Sequence, residues 1–241
     1  MHRLAVASTN LNPKSNRLLA ALEDDDYDAT VQGAQFESLK LHKRLHEQDT
    51  PFDAVYFPLT CMMSLLVTAS GEPQMEMATI GYEGVVGATE LIISKSSFGL
   101  LLIQIPGIAL RIEANYFHDL IETRPALSKL IHRHTYALLR QVLIGSACNR
   151  IHTMEERCAR WLLMTHDRAR RDSFPLTQEF MSHMLGVRRA TVNAATGALK
   201  SAGYIHYVRG QVTVLDRPGL ESATCACYAG IVKSYATAFE D

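Results

Sequence analysis

The sequence predicts an α+β protein in three parts: an N-terminal β-rich domain, one long helix, and a C-terminal helical domain that includes a β-hairpin. Three observations support this prediction. Short apolar runs alternate with turn residues over 36–112, a proline-free helical pattern follows Pro125, and two short helices meet at Gly186. We therefore expect domains at 1–124, 125–148 and 149–241, with the middle one a single helix.

The β-rich region is predicted from five apolar runs. In chain order they read AVYFPL, MMSLLVT, QMEMATI, GLLLIQI and IALRI, and Gly or Pro lies in most of the gaps between them. Many short strands with regular turn signals are typical of a β-sandwich or barrel. Before this region, residues 14–22 predict a short helix capped by Ser15, and the acidic residues 23–28 predict a solvated loop.

The long helix is predicted from residues spaced three and four apart, which therefore share one face. They are Leu127, Ile131, His134, Leu138 and Val142. A helix of about 22 residues would be about 33 Å long. Two interpretations are open: the stripe packs inside one subunit, or it pairs with its copy in a homodimer. We favour the dimer interface, because a small β domain leaves little else to cover the stripe.

Residues 176–201 predict two helices joined by a tight turn at Gly186, since glycine accepts the left-handed conformation in which helices often end. Thr177 can cap the first helix, and Gln178 follows it. The second helix has an apolar face and a polar one. The polar face, with the turn before it, carries Arg188, Arg189, Thr191, Asn193 and Thr196.

This layout is that of a helix-turn-helix, whose second helix lies in the DNA major groove. Arginine can pair with guanine through two hydrogen bonds, and Thr and Asn can donate to phosphates or bases. Residues 203–215 then predict a hairpin, or wing, on which His206 and Arg209 would meet the DNA backbone. We therefore predict a DNA-binding surface made of Thr177, Gln178, Arg188, Arg189, Thr191, Asn193, His206 and Arg209.

Charge is distributed unevenly along the chain, whose formal net charge is only −1. Residues 149–217 carry 11 Lys and Arg against 6 Asp and Glu, a net charge of +5 on the segment that holds the two short helices. A basic segment of this kind favours an anionic partner such as nucleic acid.

The five cysteines are odd in number and form no Cys-x-x-Cys pair, which argues against a disulfide framework or a zinc site. Cys225 and Cys227 lie in a predicted terminal helix at 219–237, where we expect them to point to different sides. We expect no cofactor and no metal. Because no signal peptide or long apolar run is seen, we expect a cytoplasmic protein with no membrane partner.

The order of parts resembles the Crp/Fnr family of bacterial transcription regulators over about residues 16–217. The resemblance rests on VYFPLTCMMSLLVT and TIGYEGVVG in the β-rich region, and on LTQEFMSHMLGVRRATV and LKSAGYI in the helical one. It implies a β-roll sensor of the cyclic-nucleotide-binding jelly-roll type, a dimerisation helix and a winged helix-turn-helix. It also implies a base-reading role for Arg189 and a phosphate-binding role for Thr191, whereas Ala190 and Ala194 stand at two further reading positions.

The resemblance does not extend to known effector motifs. Val85 stands where cyclic-nucleotide binders have a glutamate, and Lys95 lies in the segment that would carry their phosphate-binding arginine. We therefore expect no cyclic nucleotide, and the N-terminal cysteine cluster of the iron–sulfur members is absent as well. The weakly predicted effector pocket comprises Gly84, Val85, Lys95 and Ser96.

The predicted function is a homodimeric, sequence-specific transcription regulator that is controlled through a sensor domain by an unknown effector. Its partners would be a roughly palindromic double-stranded DNA site, a second copy of the chain and RNA polymerase. An alternative is a ligand-binding or scaffolding protein whose winged domain contacts protein, which the salt dependence of binding would separate from a DNA-binding one. No enzyme is predicted, because no nucleophile–base pair or phosphate-binding glycine loop is seen.

Overall fold

The fold is taken from a computed structural model that describes residues 11–68, 74–94 and 96–239. Its helices are α1 (Arg17–Ala20), α2 (Asp24–Gln32), α3 (Ala88–Ile93), α4 (Ala114–Thr123), α5 (Pro125–Ile151), α6 (Met154–Ala169), α7 (Gln178–Leu185), α8 (Arg189–Ser201), α9 (Arg217–Ser222) and α10 (Cys227–Thr237). Its strands are β1 (Ala34–Leu39), β2 (Arg44–His46), β3 (Ala54–Pro58), β4 (Met62–Val67), β5 (Met75–Ile80), β6 (Leu100–Ile105), β7 (Gly107–Glu113), β8 (Ser173–Pro175), β9 (Ile205–Val208) and β10 (Gln211–Val214).

The N-terminal domain is built from two antiparallel sheets, with strand orders β1-β7-β3 and β2-β6-β4-β5. One core lies between them and includes Met63, Leu65, Ile103 and Tyr56. A second core lies on the other face of the three-stranded sheet, where Phe57 meets Phe117 of α4. The predicted β-rich N-terminal domain, for which we keep the name sensor domain, is therefore confirmed as a fold.

Strand β4 is buried on both faces, which explains why five of its six residues are apolar and the sixth, Ser64, is buried as well. Met63 and Leu65 face the core between the sheets, whereas Met62 and Leu66 belong to a core shared with α6, α7 and α8. A strand with two covered faces has no need for polar alternation. One apolar core thus runs from the sensor sheet into the C-terminal helices.

The N-terminal segment differs from its prediction. Residues 23–28 do not form a loop: α2 begins at Asp24, and its first turn holds Asp24, Asp25 and Asp26. Carboxylates are favoured there by the partial positive charge at a helix N-terminus. The cap of α1 is Asn16 rather than Ser15, since the Asn16 side chain accepts from the backbone N–H groups of the first turn.

The C-terminal domain combines α6–α10 with a small antiparallel sheet of order β8-β10-β9. Helix α6 starts with a capping box between Thr153 and Glu156, directly after α5 ends at Ile151. A domain division at residue 148 would therefore cut through the last turn of α5. The predicted terminal helix is two helices, α9 and α10, with Cys225 in the break between them. Among the described residues, no helix combines the length and apolarity required to cross a membrane.

Candidate nucleic-acid interface

Helices α7 and α8 form a helix-turn-helix whose turn is fixed by a cap at each side. The Thr177 hydroxyl accepts from the Phe180 backbone N–H at 3.1 Å and so begins α7. Gly186 ends it with a φ of +64°, while its N–H and that of Val187 return to the last carbonyls of α7. This φ is costly for a residue with a Cβ, which explains the glycine. Apolar side chains of α8, including Val192 and Leu199, then pack into the shared core.

The outer face of α8, together with Arg188 at its start, is exposed and carries four of the eight predicted DNA contacts. Arg188, Arg189, Thr191 and Asn193 are all exposed, as are the small residues between them. Thr196 is the exception, because its side chain is buried and its hydroxyl donates to the Val192 carbonyl at 2.9 Å. Arg188 makes no side-chain cap hydrogen bond at the start of α8. The N-terminal backbone amides of this helix therefore suit a phosphate oxygen.

Asn193 is held in place by the neighbouring helix. The side-chain amide of Gln178, the first residue of α7, donates from Nε2 to Asn193 Oδ1 at 2.8 Å. The structure thus joins two of the predicted DNA-binding residues across the turn. Gln178 therefore orients the Asn193 side chain and also lies beside the predicted DNA-binding surface.

The predicted wing is present as the β9–β10 hairpin. Arg209 and Gly210 form its two-residue turn, with φ of +48° and +74°. Positive φ at both positions is typical of a type I′ turn, whose twist matches that of the strands. The Gly210 carbonyl accepts from Leu176 N–H at 2.7 Å, which ties the wing tip to the start of α7. His206 and Arg209 are both exposed beside the helix-turn-helix.

Comparisons with known proteins agree with this geometry. Residues 156–223 match the model of the Crp-like helix-turn-helix domain. A comparison with curated proteins gives no match. Among solved structures, FixK2 from Bradyrhizobium japonicum is 18% identical, covers 80% of this chain and 98% of its own, and has a TM-score of 0.66. The C-terminal part of the chain therefore contains a Crp-like helix-turn-helix domain, and the chain shares the fold of FixK2.

Two further solved structures share the fold of this chain. A regulator described as a putative transcriptional regulator of the Crp/Fnr family, from Eubacterium rectale, is 12% identical with a TM-score of 0.67, covering 87% of this chain and 98% of its own. The c-di-GMP-responsive regulator CLP from Xanthomonas campestris is also 12% identical, with a TM-score of 0.65, and covers 80% and 99%. The predicted fold class and family resemblance are thereby confirmed.

The stripe predicted for the dimer interface faces inward. Leu127 and Ile131 are buried in the sensor core, and Leu138 and Val142 pack against the core between the sheets. His134 is buried beside Gly84, and burial lowers its pKa to about 4. The spacing correctly predicts one covered helix face, but the structure covers that face with the sensor domain of the same subunit.

The opposite face of α5 is open. Tyr136, Leu139 and Leu143 are 59%, 53% and 59% exposed, which is unusual for large apolar side chains. With Lys129, His132 and Ser146, which are exposed as well, they form a stripe whose members alternate three and four residues apart. This is the spacing of a coiled-coil seam. We call this set, residues 129, 132, 136, 139, 143 and 146, the α5 seam.

Polar contacts join the sensor and the helix-turn-helix domain, and two of them are made by carboxylates of the sensor. The Trp161 indole donates to Glu76 Oε1 at 2.6 Å, and Arg168 Nε donates to Glu83 Oε1 at 2.7 Å. Burial raises the pKa of Glu76 to about 7, although hydrogen bonds from Ser64 and Trp161 oppose the rise. The other carboxylate oxygen of Glu76 is buried and has no hydrogen-bond partner among the described residues.

Three of the weakly predicted effector residues, Gly84, Val85 and Ser96, belong to the described part of the chain. Val85 is buried in the sensor core, and the Gly84 carbonyl accepts from the Asn16 side chain at 2.8 Å. Ser96 pairs with Pro51 in an isolated β-bridge, and Lys95 lies outside the described residues. A cleft of about 560 Å³ lies nearby, between the sensor and the end of α6, and is lined in part by Arg17, Tyr82, Arg168, Arg170, Arg171 and Arg217.

The expectation of no cofactor or metal site is wrong. Cys148, His152, Cys225 and Cys227 each offer a ligand atom, and these atoms all lie within 4.8 Å of one another. Cys225 and Cys227 do not point to different sides, because the break between α9 and α10 turns both toward the end of α5. Two sequence signals were available: Cys148 and His152 are four residues apart on one helix face, and Cys-x-Cys is a compact ligand pair.

Proposed function

We propose that this regulator binds a roughly palindromic double-stranded DNA site as a homodimer and responds to a small molecule through its sensor. The observation that carries the proposal is the exposed, basic start of α8 beside the wing, on a fold shared with transcription regulators. Arg189 would make the main base contact, and Arg188, Thr191 and Arg209 would hold phosphates. RNA polymerase would be a further partner at the promoter.

The dimer is supported by the α5 seam. Its apolar members are exposed in one subunit, and a second copy placed along the helix would cover all of them. Dimers of this kind place two recognition helices in successive major grooves about 34 Å apart, which is why the site should be palindromic. Leu143→Asp should dissociate the dimer at concentrations where the wild type stays dimeric, as measured by sedimentation velocity.

The matched control is Ile93→Asp on α3, where the side chain is 67% exposed but lies outside the α5 seam. This variant should remain dimeric. If Leu143→Asp and the wild type both sediment as dimers, the interface does not lie at the α5 seam. If both sediment as monomers, the proposed homodimer is refuted.

Signal entry is supported by the arginine-lined cleft between the domains. Its five arginines outnumber the three acidic residues in its lining, so an anionic small molecule fits it best. Arg168 in this cleft already links Glu83 of the sensor to α6. A bound anion there would shift the balance between docked and released helix-turn-helix domains.

The test is selection of bound sequences from a random DNA pool, with and without the small-molecule fraction of a cell extract. A palindromic consensus whose affinity falls steeply with salt is expected, because DNA binding releases counterions. Loss of the extract effect in Arg170→Ala would support the cleft as the effector site. Selection that yields no enriched sequence under either condition refutes sequence-specific binding.

A further inference from the structure

Four potential metal ligands converge where three segments meet. Cys148 lies in the last turns of α5, and His152 follows the end of that helix. Cys225 lies in the break before α10, and Cys227 is the first residue of α10. Cys148 Sγ is 3.5 Å from Cys225 Sγ, and Cys227 Sγ is 3.6 Å from His152 Nδ1. The cysteines are unpaired, and two of the four residues are only partly buried, so the group is open to an incoming ion.

These separations suit four ligands around one ion. With Zn–S bonds of about 2.3 Å and Zn–N bonds of about 2.0 Å, neighbouring ligand atoms in a tetrahedron are about 3.5–3.8 Å apart. A disulfide would instead require about 2.05 Å between sulfurs. An iron–sulfur cluster spreads its ligands over several metal atoms, whereas here every ligand atom lies within 4.8 Å of the others. Three thiolates and one imidazole are a ligand set typical of a closed zinc site.

We propose that Cys148, His152, Cys225 and Cys227 bind one Zn²⁺ ion, which fastens the α9–α10 segment to the junction between α5 and α6. The proposal goes beyond the proposed function and does not depend on it.

Nearby contacts provide support for a charged site. Three thiolates around Zn²⁺ leave a net charge of −1, and the guanidinium of Arg160 acts on Cys148 with the opposite sign. On the other side, Thr224 Oγ1 donates to the Glu156 carbonyl at 3.4 Å, which holds the Cys-x-Cys segment against the start of α6. The ligands are therefore presented by backbone that is already anchored.

The position of the site gives the ion a mechanical role. Residues 152–153 are the short connection between the long helix and the helix that leads into the DNA-binding domain. An ion bonded to Cys148 and His152 on one side and to the α10 segment on the other would fix the angle of this connection. Metal loss should therefore loosen α10 and the junction first, before the sensor core.

The experiment is to load the full-length reduced protein with Zn²⁺, remove excess ion by gel filtration, and measure zinc by mass spectrometry. We expect about one zinc per chain in the wild type and less than about a tenth in Cys227→Ser and in Cys225→Ser. The matched control is Cys61→Ala, which removes a buried sensor thiol outside the group and should keep its zinc. His152→Cys supplies a fourth thiolate and should also keep it.

A second measurement, the visible spectrum of the Co²⁺-loaded protein, uses the wild type and so does not depend on how well a variant folds. Co²⁺ in place of Zn²⁺ should give the wild type the visible bands of a tetrahedral site with thiolate charge transfer, and His152→Cys should shift them. Wild-type protein that retains less than about a tenth of a zinc per chain, or zinc retained undiminished by Cys227→Ser and Cys225→Ser, would overturn the proposal.

Discussion

At the scale of single residues, the first turns of α8 decide what the DNA-binding surface can recognise. Arg188 and Arg189 stand at the exposed tip, whereas Ala190 and Ala194 offer no hydrogen-bonding side chain. The helix can therefore approach the groove closely, with few side chains able to read it. Specificity should concentrate on Arg189 and on Asn193, which Gln178 orients.

Arg189→Ala should weaken binding to the selected DNA site by about 1–3 kcal/mol and relax the preference at one base step, because a bidentate contact to guanine is lost. Fluorescence anisotropy on the consensus and on single-base variants measures both effects. Lys200→Ala, on an exposed residue at the far end of the same helix, is the control and should leave base preference unchanged. Equal effects of both variants on every sequence would show that Arg189 only contacts phosphate.

Glu76→Gln should remove a pH dependence of stability. The pKa of Glu76 is raised in the folded chain to about 7. Its stabilising contribution is therefore fully present below its ordinary pKa of 4.5 and is lost as pH rises through 7. Between pH 5 and 8 the free energy of unfolding should fall by about 1–3 kcal/mol more in the wild type than in Glu76→Gln.

Urea denaturation at several pH values measures this difference. The glutamine retains the acceptor for the Trp161 indole, so the hydrogen bond itself is preserved. His134 acts in the opposite direction, since its lowered pKa causes stability to be lost as pH falls from 6.5 toward 4, but it does so equally in both proteins. The exposed Glu47→Gln is the control, and a pH profile for Glu76→Gln that overlays the wild type would contradict the prediction.

At this scale the sequence predicts the residues whose contacts are all with near neighbours in the chain. Caps and turn glycines such as Thr177 and Gly186 depend on neighbours within four residues, and the sequence predicts them. The metal ligands and the Trp161–Glu76 pair join residues about 75 and 85 positions apart. No spacing rule reports which distant residues the fold will bring together, so these contacts were missed.

At the scale of the secondary-structure element, glycines in the helix-turn-helix have opposite roles. Gly186 has a φ of +64°, and a Cβ there would lie 2.8 Å from the Met75 sulfur. Gly197 lies in the middle of α8, and a Cβ there would meet nothing within 4 Å. One glycine is required by the turn, and the other only weakens the helix.

Gly186→Ala should therefore destabilise the protein by about 1–2 kcal/mol, because alanine is strained at this φ. Gly197→Ala should stabilise it by about 0.5–1 kcal/mol through lower backbone entropy in the unfolded chain. Thermal unfolding of the two variants gives the sign of each effect directly. A stabilised Gly186→Ala would mean that the turn is not held in the left-handed conformation.

The elements differ in how well their sequences predict them. Strands β3 to β7 follow from their apolar runs and helix α8 from its periodicity, whereas β1 and β2 were not among the predicted runs. Helix α2 was predicted as a loop, because its acidic start looks solvated until it is recognised as a favourable first turn. The apolar stripe of α5 was predicted to pack against a second subunit, but it packs against the sensor of its own subunit. An apolar stripe indicates that a helix face is buried, and it does not indicate which element covers it.

At the scale of the whole molecule, the shared core makes the two domains one folding unit. Met62 and Leu66 of the sensor sheet lie in the same apolar cluster as Trp161, Phe174 and Leu199. A helix-turn-helix domain separated from the sensor would expose its side of this cluster. Domain boundaries drawn from the sequence therefore describe the order of the parts along the chain. They do not describe which parts share a core and stabilise one another.

Leu66→Ala should lower the free energy of unfolding by about 2–5 kcal/mol through loss of buried contacts and cavity formation. Because the core is continuous, calorimetry should show one transition that shifts as a whole. Ile93→Ala, at an exposed sensor position, is the control and should change little. Two separate transitions, of which only the sensor transition moves, would show that the domains are energetically independent.

The hydrogen bond from Gln178 to Asn193 has a consequence for the shape of the DNA motif. An asparagine distinguishes adenine when its oxygen accepts and its nitrogen donates at the same time. Here one of the two lone pairs on the oxygen is engaged by Gln178 at 2.8 Å, so the nitrogen is the group left wholly free to contact DNA. A contact through this donor alone is compatible with guanine, adenine or thymine, each of which presents a hydrogen-bond acceptor in the major groove. It disfavours cytosine, whose major-groove edge presents a donor. The base that Asn193 contacts should therefore be a degenerate position in the consensus, at which cytosine is excluded and the other three bases are accepted.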